Sequence, residues 1–204
     1  MSDFIKSLKS EVTARALVDF KNHKIAELHH VPWKGDYQNQ YFVARVMSPK
    51  TWIYGFYISI LPGCIHVWGD IGSTSWTQVF GGRASIAWLR NAVNSLSYLA
   101  EKQSRPDREK NEVYYPELAK EYMAELKATD PEDDPSAVAA YEALKQNGIP
   151  EDGPEYGRII CDVCDDGDFY RSTYHSHQFL FTVEAIKKFI ELYDAAYAEP
   201  GGVK

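Results

Sequence analysis

The chain opens on a helical period. Between residues 3 and 21, Ile5, Leu8, Val12, Ala16 and Phe20 recur at three- and four-residue spacing, and Ser2 or Asp3 can cap the first turn. The period then switches. Short runs rich in β-branched and aromatic residues fall at 25–31, 41–47, 52–61, 64–68 and 75–80, separated by turn residues such as Lys34-Gly35-Asp36 and Ser48-Pro49-Lys50. Connections this short leave no room for crossover helices, so the runs predict an antiparallel meander. The run WIYGFYISIL at 52–61 is apolar almost throughout, as expected of a central strand covered on both faces.

Helical spacing returns over 83–102, where Ile86, Leu89 and Val93 share a stripe and Asn94 or Ser95 marks a bend or a new cap. Residues 104–113 (SRPDREKNEV) are polar and turn-like. A short helix is expected at 116–128 with Pro116 at its first position, and a second at 136–146 ending at Asn147-Gly148. The strongest helical pattern spans 177–197, with Leu180, Val183, Ile186, Ile190, Tyr193 and Tyr197 on its apolar stripe. These elements predict an α+β fold. About five antiparallel strands pack against N- and C-terminal helices in a single domain over 1–204, with an acidic helical insertion at 105–155. The insertion has few large apolar residues and is expected to lie over the core rather than build it.

Charge sharpens this division. The net charge is −7, but residues 1–104 carry +4, residues 105–168 carry −11, and the remainder balances. An acidic surface of that density can mimic the phosphate array of nucleic acid and occupy a cationic groove, with binding steered electrostatically and weakened by salt. The side chains expected to make this contact are Glu121, Glu125, Asp130, Glu132, Asp133 and Asp134. Overall acidity disfavours direct binding to nucleic acid, although the positive, aromatic first half keeps it in play. No apolar run approaches the roughly 18 residues of a membrane span, and MSDFIKSLKS lacks a signal peptide's apolar core, so a cytoplasmic location is expected. Three cysteines argue against a disulfide framework.

Several short motifs recur together: Tyr57-Ile58-Ser59-Ile60-Leu61-Pro62-Gly63, then Gly69-Asp70-Ile71-Gly72, Trp88-Leu89-Arg90, and Tyr98-Leu99-Ala100-Glu101-Lys102. With the closing FLFTVEAIKKFIELY, this set resembles a family of uncharacterised proteins encoded by bacteriophages and prophages. Those proteins show an aromatic strand, a Pro-Gly turn and a Gly-Asp-x-Gly motif before a helix. The resemblance covers roughly half the chain, residues 40–102 and 178–195, and leaves out the acidic segment. It implies a phage or mobile-element origin, and with it the anti-CRISPR or anti-restriction class of protein, which binds and blocks a host defence complex.

The sharpest chemical signal is CDVCDDGDFYRSTYHSHQF at 161–179. Cys161 and Cys164 have the spacing of a zinc knuckle, and His175 and His177 complete a Cys₂His₂ set of the kind that zinc holds tetrahedrally. Against zinc, the histidines are closer together than is usual, and Cys161 serves equally as a core thiol. Asp162, Asp165, Asp166 and Asp168 crowd the same stretch as potential Mg²⁺ or Ca²⁺ ligands or as a solvated acidic loop; the EF-hand template fails at its twelfth position, Thr173. His66 shares a strand face with Cys64 and Trp68, which suits a hydrogen-bonded sheet histidine better than a catalytic base. GxSxG and Walker A motifs are absent.

The leading expectation is therefore a non-enzymatic phage accessory protein whose partner is a host protein or ribonucleoprotein complex. Two alternatives stand beside it. One is a small metal-dependent enzyme acting on nucleotides or nucleic acid, with Asp70 or His66 joining the Cys/His set. The other is a sponge that holds a nucleotide signal in an aromatic pocket.

Overall fold

The computed structural model describes residues 2–31, 41–77, 85–128, 135–161 and 173–197. They form an α+β protein built as two compact units. One unit comprises residues 10–111 and 177–204 and is called here the sheet unit. The other comprises residues 1–9 and 112–176 and is called the acidic unit.

The sheet unit holds the expected meander. Strands β1 (Lys24–His30), β2 (Phe42–Ser48), β3 (Thr51–Leu61), β4 (Cys64–Gly69) and β5 (Gly72–Thr77) pair in chain order, each antiparallel to the next. The turns follow from their residues. Gly63 takes φ +71° in the Pro62-Gly63 turn, and Gly69 (φ +143°) and Gly72 (φ +92°) flank the Asp70-Ile71 turn. These are backbone angles that side chains oppose and glycine tolerates.

One face of the sheet is the core. Phe42, Ala44, Val46, Phe56, Ile58, Ile60, Ile65, Val67 and Trp76 are buried there, at the period of two that a pleated strand imposes. Helix α1 (Asp3–Asp19) leads into Phe20, whose ring centroid lies 6.0 Å from Phe56 and 5.0 Å from Phe181. The last helix, α8 (His177–Tyr197), covers the same face, with Phe189 and Tyr193 5.7 and 5.4 Å from the Phe42 ring. The N- and C-terminal helices thus pack on the sheet as the hydrophobic periods predict.

Helices α2 (Ile86–Ala92) and α3 (Leu96–Glu101) are separate, with the break at Asn94 and Ser95 where the pattern placed it. Trp76 Nε1 donates to the Leu99 carbonyl at 2.8 Å, which ties α3 to β5. Helix α4 (Arg105–Asn111) lies in the stretch expected to be turn-like. Ser104 donates through Oγ to Asp107 at 2.7 Å, and the same Asp107 oxygen accepts from the Ser75 amide and hydroxyl. A Ser-x-x-Asp pair at a helix start outweighs the polar composition that follows it.

The acidic unit has its own construction. Helices α5 (Pro116–Ala128), α6 (Pro135–Asn147) and α7 (Gly153–Cys161) accompany a two-stranded ribbon of β6 (Glu112–Tyr114) and β7 (Thr173–His175). Helices α5 and α6 sit where the sequence placed them. Their apolar stripes meet those of α7: Ala119, Tyr122, Leu126, Ala137, Ala140, Leu144, Tyr156, Ile159 and Ile160 form a buried cluster. The acidic segment therefore encloses a core of its own. Alanine at the close contacts lets short helices approach without large side chains, which is why scarcity of Leu and Ile misled the expectation. Tyr114 braces this core, donating to the Pro150 carbonyl at 2.8 Å with its ring 5.0 Å from Tyr156.

Candidate functional sites

The structure divides charge as it divides the fold. The acidic unit carries seventeen acidic and seven basic side chains, a net −10, and the sheet unit carries +3. In the acidic unit Glu112, Glu117, Glu125, Glu142, Glu151, Asp152 and Glu155 are exposed around the alanine-rich core. Of the residues singled out for partner contact, Glu125 is exposed on α5. Glu121 is half-buried and accepts the Phe4 amide at 3.2 Å, so it helps hold the start of α1 in this unit. Asp130, Glu132, Asp133 and Asp134 lie outside the described residues.

The metal hypothesis is divided in the same way. His175 closes β7 in the acidic unit, whereas His177 opens α8 in the sheet unit. Burial, assisted by nearby Lys9, holds the His175 pKa below its ordinary value, which favours the neutral imidazole that a metal would require. Cys161 ends α7, but its side chain, together with Cys164, Asp162, Asp165, Asp166 and Asp168, lies outside the described residues. Among the described residues, no group of three or more His, Cys, Asp or Glu is placed to hold a metal.

The sheet's second face carries the feature that sequence reading did not assemble. Strand register brings Tyr57 on β3 opposite Trp68 on β4 and opposite Arg45 on β2. The Tyr57 and Trp68 rings stack at 5.2 Å and 14°, and His66 stacks on Trp68 at 4.7 Å and 25°. Trp52, 38% exposed, continues the row at 5.5 Å from Tyr57. A strand expected to be covered on both faces thus keeps Trp52 and Tyr57 in partial contact with solvent.

Trp52 reaches this face only because β3 is bulged. Phe56 pairs with Val46 and Thr51 with Ser48, so β3 takes five steps where β2 takes two. The extra residues turn Trp52 to the Tyr57 side. Tyr54, within the bulge, has φ +57°, a conformation costing a residue with a side chain about 1–2 kcal/mol. Three hydrogen bonds hold it, and a fourth fixes Asp70 beside it. Its amide donates to Asp70 Oδ2 at 2.7 Å, and the Asp70 amide donates to the Gly55 carbonyl at 2.9 Å. Its carbonyl accepts from His23 Nε2 at 3.2 Å, and its hydroxyl accepts from Arg15 at 2.9 Å. Glycine is required at position 55, because a Cβ there would lie 2.5 Å from Trp52 Cε3. Asp70 of the Gly-Asp-x-Gly motif is therefore a clamp on the bulge.

His23 is 3% exposed, and with Nε2 donating to Tyr54 its Nδ1 has no hydrogen-bond partner among the described residues. Burial holds its pKa below the ordinary value. Cys64 is a free thiol whose pKa is pushed up by burial, which keeps it protonated and unreactive. His66 Nε2 lies 3.0 Å from the Ser73 hydroxyl, within reach of proton transfer. No carboxylate among the described residues holds its other nitrogen, so the pair lacks the third member of a hydrolytic triad. A groove of about 150 Å³ between α1 and α8, lined by Leu17, Phe20, Lys21, Glu184 and Lys188, mixes charges of both signs and carries no evident chemistry. No helix among the described residues is long and apolar enough to cross a membrane.

A comparison with protein-family models, curated proteins and solved structures finds no match to this chain. The likeness to phage-encoded proteins thus rests on its short motifs.

Proposed function

We propose that the protein is a non-enzymatic binding protein that presents its acidic unit to the cationic groove of a host defence complex and blocks it, in the manner of phage anti-CRISPR or anti-restriction proteins. The observation that carries this reading is the coincidence of the charge boundary with the fold boundary. A net −10 is collected on one compact unit with a separate core, while the sheet unit is +3. An acidic segment needed only for solubility has no reason to be built around a core of its own. A unit that presents exposed carboxylates such as Glu125 from packed helices requires one, because side chains on an ordered scaffold lose less entropy on binding. Glu125, with Asp130, Glu132, Asp133 and Asp134 between α5 and α6, would supply the contact, and cationic side chains that otherwise hold nucleic acid would receive it.

An interference assay tests this. A bacterial host expressing the native chain should lose its ability to restrict an incoming phage or plasmid. Replacing Glu132, Asp133 and Asp134 with lysine should restore restriction without reducing the amount of soluble protein. Restriction that is unaffected by the native chain in hosts with CRISPR or restriction–modification systems would remove the proposal.

A further inference from the structure

We propose that the outer face of the five-stranded sheet is a second binding site, independent of the acidic unit, and that its ligand is single-stranded RNA stacked along the Trp52–Tyr57–Trp68–His66 row. Three observations converge on it. First, the rings form a near-parallel column at 4.7 to 5.2 Å over His66, Trp68 and Tyr57, and the partly exposed Trp52 stands at its end, 5.5 Å from Tyr57 and tilted by 47°. Such a column is extended by further flat π-systems, and every nucleobase has one. Secondly, the last member of the row is held there at the expense of backbone strain. The bulge, the positive φ of Tyr54, the Asp70 clamp and the bare Gly55 floor all serve to bring Trp52 beside Tyr57. Strain of this kind persists where a surface is used.

Thirdly, the charge at the row is complementary to phosphate. Register places Arg45 and Lys24 on the same face, and exposed Lys50 occupies the turn that leads to Trp52. Glu27 is the one acidic side chain that β1 to β5 place on this face, and it is ion-paired with Arg45; Asp107 of α4 reaches the face at Ser75, opposite His66, with its Oδ2 already accepting from Ser75 and Ser104. The Arg45 guanidinium keeps a buried Nε with no hydrogen-bond partner among the described residues. The whole-chain acidity that counts against nucleic acid belongs to the other unit. The polar groups beside the column favour RNA over DNA. The Ser73 hydroxyl, exposed and 3.0 Å from His66 Nε2, offers a donor and an acceptor to a 2′-hydroxyl, a group DNA lacks.

The test is fluorescence anisotropy of the full chain with a labelled 12-nucleotide oligo-uridine RNA, beside the matching oligodeoxyuridine and an RNA duplex, over a salt series. The RNA strand should bind best, with quenching of tryptophan emission and affinity that falls as salt rises. Trp52→Ala and Trp68→Ala should each weaken binding about tenfold or more. Arg45→Ala should reduce the salt slope by about one. A chain in which Glu132, Asp133 and Asp134 are lysine should retain the tryptophan-dependent binding, so failure here and failure of the acidic-contact reading are separately visible. Trp52 is partly exposed, and its variant should keep the native circular dichroism spectrum. If Trp52→Ala nevertheless unfolds, Tyr57→Leu with the Trp68 variant carries the same test. Absence of binding at tens of micromolar protein in low salt, or binding unchanged by these variants, overturns the proposal. Equal affinity for the DNA strand overturns the assignment to RNA.

Discussion

The two units solve the problem of stability with different materials. The sheet unit buries Phe42, Phe56, Phe181, Phe189 and Trp76 between one sheet face and two long helices. The acidic unit packs three short helices through Ala119, Ala137 and Ala140, with tyrosine and a few aliphatic residues filling the remainder. Large aromatic side chains supply enough burial for the first to carry a bulged strand and a strained Tyr54. Small side chains let the second bring its helices close, with Glu117, Glu125, Glu142 and Glu155 on its outside, where a carboxylate stays hydrated. Among the described residues, these four are exposed on helices that share a core of their own.

The chain offers a convenient way to challenge this contrast, because all five tryptophans fall within residues 10–111. Tryptophan emission therefore reports the sheet unit, and far-UV circular dichroism reports helices in both. The largest effects should come from the cores. Phe56→Ala is expected to cost about 3–5 kcal/mol and Leu144→Ala about 2–5 kcal/mol. The first should lower the tryptophan-detected midpoint in urea. The second should lower the helix-detected transition and leave the tryptophan midpoint in place. Superimposed shifts at both probes for both variants would merge the two cores into one cooperative body.

The bulge comes next. Asp70→Ala removes the acceptor of the Tyr54 amide, at an expected cost of about 1–3 kcal/mol, and should shift tryptophan emission as Trp52 leaves Gly55. Unchanged emission would show that the clamp does not govern the aromatic row. Helix caps give a smaller, matched pair. Ser104 donates through Oγ to Asp107 at the start of α4 in the sheet unit, and Asp152 accepts the Glu155 amide at 2.8 Å at the start of α7 in the acidic unit. Alanine at either should cost about 1 kcal/mol, each visible at its own unit's probe.

The smallest expected effect is a pH dependence shared by both units. His23 and His175 have pKa values held below the ordinary 6.5 by burial, so the folded chain binds fewer protons than the unfolded one below that value. Stability contributed by the neutral imidazoles is complete above about pH 7.5 and is lost as pH falls through 6.5 towards the folded pKa values. His23→Gln keeps a donor for the Tyr54 carbonyl and should flatten the pH dependence at the tryptophan probe only. A slope that steepens in this variant would contradict the assignment.

Much of this architecture was legible in the hydrophobic periods. Helices α1, α5, α6 and α8, the split between α2 and α3, and the five-strand meander follow from spacing and turn residues, because each is a local preference reinforced by one buried face. Helices α4 and α7 were not seen, although Ser104/Asp107 and Asp152/Glu155 mark their starts; α4 is polar throughout, and α7 opens on Gly153-Pro154, a pair that reads as a turn. The aromatic row lay further out of reach. Placing His66 and Trp68 on one face needs only alternation. Adding Tyr57 and Trp52 needs the register of two strands and a bulge held by Asp70, sixteen residues from the amide it accepts. The charge boundary was visible from composition, but a boundary of the fold at the same place was not, since the alanine core that makes it has no strong hydropathy signal.

A contact surface on the acidic unit should show itself in retention of a host complex on the immobilised full chain across a salt series, with the native protein and the Glu132→Lys, Asp133→Lys, Asp134→Lys triple variant in parallel. A nucleic-acid-binding host complex should be retained by the native chain, released as salt rises, and lost from the triple variant while its tryptophan emission stays native. Equal retention by both chains at every salt concentration would contradict it.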